Sequence, residues 1–141
     1  MQTNMRCWKM EHAIKTVILV VGAMVSYFLG GWSILLTTLL ILNIFDYLTG
    51  IAANWGNLSS KRGLKGIIKK CVMWVWIVVA NLLYRILAQQ GFDLSQIIPD
   101  GVVILFIINE ITSLGENSIK LGINVPEPIK KALEIMKGDK K

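Results

Sequence analysis

The sequence predicts an all-α membrane protein with four transmembrane helices and both termini in the cytoplasm. Three observations carry that prediction: an apolar composition, four apolar stretches of near-spanning length, and cations that cluster in alternate connections. Hydrophobic residues make up 54% of the 141, only 17% are charged, and the mean hydropathy is +0.57. A soluble domain of this size needs a larger charged surface to stay dispersed. The net charge of +6 alone would admit a nucleic-acid partner. Its placement argues otherwise, because the cations cluster between apolar stretches instead of forming a groove. Length favours one domain over residues 1–141.

The first stretch, residues 14–29, is short for a span and stops at Gly30-Gly31. Arg6, Lys9 and Lys15 at its basic end would suit a cleavable signal peptide, but no clear small-residue cleavage site follows. The second covers residues 32–54, the third 70–88, and the fourth, the least apolar, 97–114. Between the second and third lie Lys61, Arg62, Lys65, Lys69 and Lys70, whereas the first connection has no cation and the third carries Asp93. The tail adds Lys120, Lys130, Lys131, Lys137, Lys140 and Lys141. Positive charge is retained on the cytoplasmic side of membranes, so this alternation requires four spans; three would leave a basic end outside.

Two basic amphipathic segments are expected at the interface. In residues 59–70, Leu64, Ile67 and Ile68 fall at helical spacing, continuing to Cys71, with Lys61, Arg62, Lys65, Lys69 and Lys70 as contacts for anionic lipid. In residues 126–137, Ile129, Leu133 and Met136 form a stripe among Lys130, Lys131, Glu134 and Lys137, and prolines suit the helix start. A solvated tail helix is the alternative there. Trp8, Trp32 and Trp55 fall near interfaces, while Trp74 and Trp76 lie deeper.

Charged groups at membrane depth cost about 2.5–3.5 kcal/mol on insertion scales and therefore need partners or water. Asn43, Asp46 and Gly50 share one face of the second span, with Thr49 beside them. Asn81 and Arg85 lie four apart on the third, and Asn109, Glu110, Ser113, Glu116 and Asn117 stripe the fourth. These faces either glue the bundle by interhelical hydrogen bonds or line a water-filled lesion, and the two are compatible. Counting depth along the helices pairs Arg85 with Asp100 near the outer side. It also puts Asp46 and Glu110 at a deeper common level, where they share a proton or bond Asn43, Asn81 and Asn109. Gly22, Ser26 and Gly30 in the first span, and Gly50 with Asn54 in the second, have the spacing of closely approaching helices.

No catalytic set emerges: His12 is alone, and Cys7 and Cys71 lack metal-ligand spacing and read as unpaired thiols. No cofactor, metal or nucleic acid is expected.

Residues 46–51, Asp-Tyr-Leu-Thr-Gly-Ile, followed by Ser59-Ser60-Lys61-Arg62-Gly63-Leu64, resemble the toxin-secretion/phage-lysis holin family. So do Asn109-Glu110, Glu116-Asn117, Gly122, Pro126 and the lysine-rich helix after them; the resemblance covers residues 14–137. It implies a multi-pass protein of the host bacterium's cytoplasmic membrane that forms homo-oligomers and opens lesions. Through these an endolysin, or in some bacteria a toxin, leaves as cargo without necessarily being bound. The competing readings are a small four-helix transporter or ion channel using Asp46 or Glu110, and a membrane subunit recruiting partners through its basic tail.

Overall fold

The computed structural model describes residues 2–57, 59–92 and 97–137, excluding the side chains of residues 2–7, 9, 57, 62, 133, 136 and 137. The elements are α1 (Gln2–Phe28), α2 (Ile34–Ala53), a 3₁₀ turn (Trp55–Asn57), α3 (Ser60–Gln89), α4 (Ile97–Lys120) and α5 (Glu127–Lys137). Among the described residues there is no strand. Among the described residues, four segments are long and apolar enough to cross a membrane: Met10–Phe28, Ile34–Ala53, Gly63–Gln89 and Ile97–Lys120. Asp93, Lys140 and Lys141 and the side chains of Arg6, Lys9 and Arg62 lie outside the described residues.

The chain divides into two compact units, Met1–Trp32 and Ser33–Lys141. The first is α1 and its terminating turn. Val17, Ile18, Leu19, Val20, Val21, Met24 and Val25 leave apolar surface exposed around the helix. Such a helix is stable in hydrocarbon because every backbone group bonds within it. The Thr16 hydroxyl likewise donates to the His12 carbonyl at 2.9 Å.

In the second unit, Ser33 starts α2: its backbone is extended and its hydroxyl accepts from the Leu36 N–H at 3.3 Å. The hydroxyls of Thr37, Thr38 and Thr49 donate to carbonyls four residues back, which hides them from lipid. Asn54 ends the helix by donating from its side chain to the Gly50 carbonyl at 2.8 Å. Helices α3 and α4 end alike. Gly91 (φ 84°) and Gly122 (φ 79°) take the left-handed conformation, and the next N–H reaches back to Leu87 O at 3.1 Å and Ser118 O at 2.9 Å.

Helix α4 is the centre of this unit, packed most extensively on α2 and then on α3, while α2 and α3 touch little directly. Leu36, Leu39 and Asn43 of α2 form one buried stripe; Met73, Ile77, Ala80 and Asn81 of α3 form another. Val103, Ile107, Glu110 and Asn117 of α4 complete the core. The remaining large apolar residues mostly point outward, as lipid-facing helices require.

One expectation is corrected. The basic segment at residues 59–70 is not a separate interfacial piece that turns into a span. It is the beginning of a continuous 30-residue helix, about 45 Å long, enough for the hydrocarbon core and both headgroup layers. Without a break, residues 60–69 carry the axis of the span onward instead of lying flat beside it.

Candidate functional site

The site is built on the face where α2, α3 and α4 meet. Asn43 and Asp46, one turn apart on α2, look toward α4, and Glu110 and Asn117 look back from it, two turns apart. Between them comes Lys70 of α3. Its ammonium donates to Asp46 Oδ2 at 2.9 Å, to Asn43 Oδ1 at 3.2 Å, and to Glu110 Oε2 in the closest contact of the set. The other oxygen of Asp46 accepts from Asn117 Nδ2 at 3.0 Å. All three helices are tied at one point by charge-assisted hydrogen bonds, the strong kind.

The cluster is largely withdrawn from solvent: side-chain exposure is 17% for Lys70, 15% for Asp46 and 6% for Glu110. Asp46 stands seven residues before the end of α2, about 10 Å along the axis, so the cluster lies inside the span. Asn43 Nδ2 is buried with no partner among the described residues.

Beside the cluster opens a cleft of about 600 Å³. Asp46, Tyr47 and Asn54 line it from α2 and its cap, Lys69 and Lys70 from α3, and Asn109, Glu110, Thr112, Ser113, Glu116 and Asn117 from α4. Met73, Trp76 and Phe106 form an apolar wall. Small residues keep it open: a Cβ on Gly50 would lie 3.5 Å from Asn117 Nδ2, and one on Gly63 3.9 Å from the Tyr47 hydroxyl.

The structure thus gathers Asn43, Asp46, Gly50, Asn109, Glu110, Ser113, Glu116 and Asn117, all expected from the sequence, around one cluster and one cleft. Others stand apart. Thr49 donates to Phe45 O and Asp46 O within α2, and Asn81 is buried and donates to Ile77 O at 3.1 Å within α3. Arg85 and Asp100 lie toward the opposite end of α3 and α4. Lys61, Lys65 and Lys69 are exposed, whereas the Lys70 ammonium is taken up by Asn43, Asp46 and Glu110. Its ammonium occupies the place where Asp46 and Glu110 were expected to share a proton. Sequence reasoning also missed Tyr47, Asn54, Thr112 and Trp76. No group of three or more metal-binding side chains occurs among the described residues.

Comparison with known proteins decides the family. The bacteriophage holin family matches residues 23–138. The chain belongs to this family. An uncharacterised protein of Halalkalibacterium halodurans is 37% identical over 132 residues, covering 92% of this chain and 98% of its own. An uncharacterised 14.9 kDa protein of Clostridium perfringens is 35% identical, with 90% and 95% covered. A probable holin of Bacillus phage phi105 is 29% identical, with 74% and 75% covered. No solved structure matches the chain. As a member of the holin family with four helices able to cross a membrane, it is a multi-pass protein of the cytoplasmic membrane. The family match contains the whole Lys70 cluster, the cleft and α5.

Proposed function

We propose that this protein is a lysis effector. It accumulates in the host cytoplasmic membrane with both termini inside, associates with further copies of itself, and opens lesions through which an endolysin, or in some hosts a toxin, escapes. It carries out no reaction of its own. The observation that supports this reading is the polar cleft with its Asp46–Lys70–Glu110 cluster, set into a bundle that is otherwise apolar on the outside. Hydrocarbon cannot satisfy such a face, so it must be covered by another protein surface or by water. A compact oligomer provides the first cover and a lesion the second. In the lesion, the lining residues would be Asp46, Asn109, Glu110, Ser113, Glu116 and Asn117. Anionic lipid would meet Lys61, Lys65 and Lys69.

The test is inducible expression in a bacterium with and without a co-expressed endolysin, following viability, membrane potential and culture turbidity. Abrupt loss of potential after a delay, with turbidity falling only when the endolysin is present, is the expected outcome. Survival with an intact potential, or a graded ion leak proportional to expression without endolysin release, would refute it. The graded leak would point to a small channel.

A further inference from the structure

Helix α5 is the most segregated helix of the chain, and neither the membrane spans nor the cleft makes use of it. Its helical spacing puts Ile129, Ala132, Leu133, Ile135 and Met136 on one arc and Lys130, Lys131, Glu134 and Lys137 on the other. Eleven residues make about 16 Å, too short to cross a membrane. Ile129 is 45% exposed and Ile135 77% exposed. The second unit therefore holds a short amphipathic helix whose Ile129 and Ile135 are uncovered.

The depth of α5 follows from two contacts. Lys70 bonds both Asp46 and Glu110, so those residues share a level. The connection after α4 folds back along it: a Cβ on Gly115 would lie 3.3 Å from Val125 Cγ2. Gly115 is five residues past Glu110, about 7.5 Å, and the end of α2 is seven residues past Asp46, about 10 Å. Val125 is thus anchored within a few ångströms of the level at which α2 stops being helical. Pro126 follows directly, its carbonyl accepting from the Ile129 and Lys130 N–H groups, and starts α5 at that level. At the same end stand the exposed Lys61, Lys65, Lys69 and Lys120, and Trp55, itself 75% exposed.

We infer that α5 docks on the anionic phospholipid headgroups of the membrane its own chain crosses, apolar side toward the acyl boundary and lysines among the phosphates. The occupant is chosen by depth and charge together. A helix held at the edge of the hydrocarbon, with uncovered isoleucines and a lysine-rich opposite side, matches an interface that is apolar below and negative above. Between residues 120 and 137 there are four lysines and two glutamates, so the segment is net cationic. The inference needs only that the spans cross a membrane and not that the protein causes lysis.

The experiment uses the full chain with Cys7→Ser, Cys71→Ser and Ile135→Cys, the new thiol carrying an environment-sensitive fluorophore. The protein is reconstituted at low density into vesicles of phosphatidylcholine alone, or of phosphatidylcholine with phosphatidylglycerol. Bromine placed high on the acyl chains reports contact. The expected result is blue-shifted, bromine-quenched emission that is stronger with phosphatidylglycerol. One lysine near an anionic surface is worth about 1 kcal/mol, or roughly fivefold in partitioning. Lys131→Gln, which leaves the 2.8 Å Lys130–Glu127 pair intact, should therefore lower the docked-to-free ratio about fivefold in the anionic vesicles and hardly at all in the neutral ones. Unquenched emission in both compositions would overturn the inference. So would quenching that ignores phosphatidylglycerol, or a blue shift that appears only as protein density rises, the signature of a second copy covering α5.

Discussion

Replacing Lys70 with methionine tests the centre of the structure. Methionine keeps the length and apolar stem of the side chain and removes only the ammonium that Asp46 and Glu110 share. Breaking a buried ion pair by deleting one partner costs about 3–5 kcal/mol, because a charge is left without compensation. Here two carboxylates lose their cation together. The three side chains keep 6–17% exposure next to the cleft, and water there offsets part of the cost. The lower end, about 3 kcal/mol, is the appropriate figure. That is roughly a hundredfold in the ratio of packed to hydrated arrangements. On the lysis reading Lys70→Met should therefore permeabilise the membrane early. Lysis would be timed at matched membrane levels of protein, with thiol accessibility of Ser113→Cys as an independent measure of water entry. Neutralising the partners as well, in Lys70→Met with Asp46→Asn and Glu110→Gln, should return the timing most of the way. Unchanged timing and accessibility in Lys70→Met would refute the idea that this ammonium holds the bundle closed. An equally early triple variant would show that lost packing, not unpaired charge, is responsible.

Asp46→Asn and Glu110→Gln each leave Lys70 one carboxylate, so each alone should shift lysis timing only modestly. The double variant strands the ammonium and should exceed the sum, a coupling that a double-mutant cycle would measure. Removing the Asn117 bond to Asp46 by Asn117→Ala should cost about 1 kcal/mol, read as a lowered thermal midpoint of the detergent-solubilised protein. Gly50→Ala should be tolerated, since its Cβ would meet Asn117 Nδ2 at an ordinary 3.5 Å, whereas Gly50→Leu should displace Asn117 and lower the midpoint more than Asn117→Ala does. For orientation, an impermeant thiol reagent applied outside should label Asp93→Cys and spare Asn57→Cys once Cys7 and Cys71 are replaced.

Much of this was legible because spans announce themselves by composition. Residues 32–54 were expected for the second and Ile34–Ala53 is found, with Ser33 capping it. Residues 97–114 were expected for the fourth, and the helix runs on to Lys120 because Glu116 and Asn117 face the cleft and Asp46 instead of lipid. Residues 59–70 are the least legible stretch. Five cations in a run are not equivalent, because a helix turns each to a different side. Extended backward, the buried stripe of Met73, Ile77 and Ala80 passes through Lys70, Gly66 and Gly63, at steps of three and four. Lys69 lies a hundred degrees away and is exposed, while Lys70 points into the bundle. A cation on a core stripe, facing two carboxylates at its own depth, is their partner.

That partnership changes what the polar faces do. Asp46 and Glu110 alone would be a repulsive pair in low dielectric, and the simplest remedy would be a shared proton. With Lys70 between them they become a cross-link. α2 and α3 touch little elsewhere, and the ammonium ties α3 to both its neighbours. The same three groups that hold the packed bundle are strongly hydrated when water reaches them. Packing and hydration therefore compete for one set of charges, and the cleft beside them is already polar on the side from which water would come. A bundle built this way has two arrangements that satisfy its charges and none in which those charges face lipid. On the proposed reading, self-association supplies the surroundings for the first and a lesion supplies them for the second. Substitutions at the cluster should consequently act on the timing of opening more than on insertion, because the apolar surfaces that drive insertion lie on the other faces of the same helices.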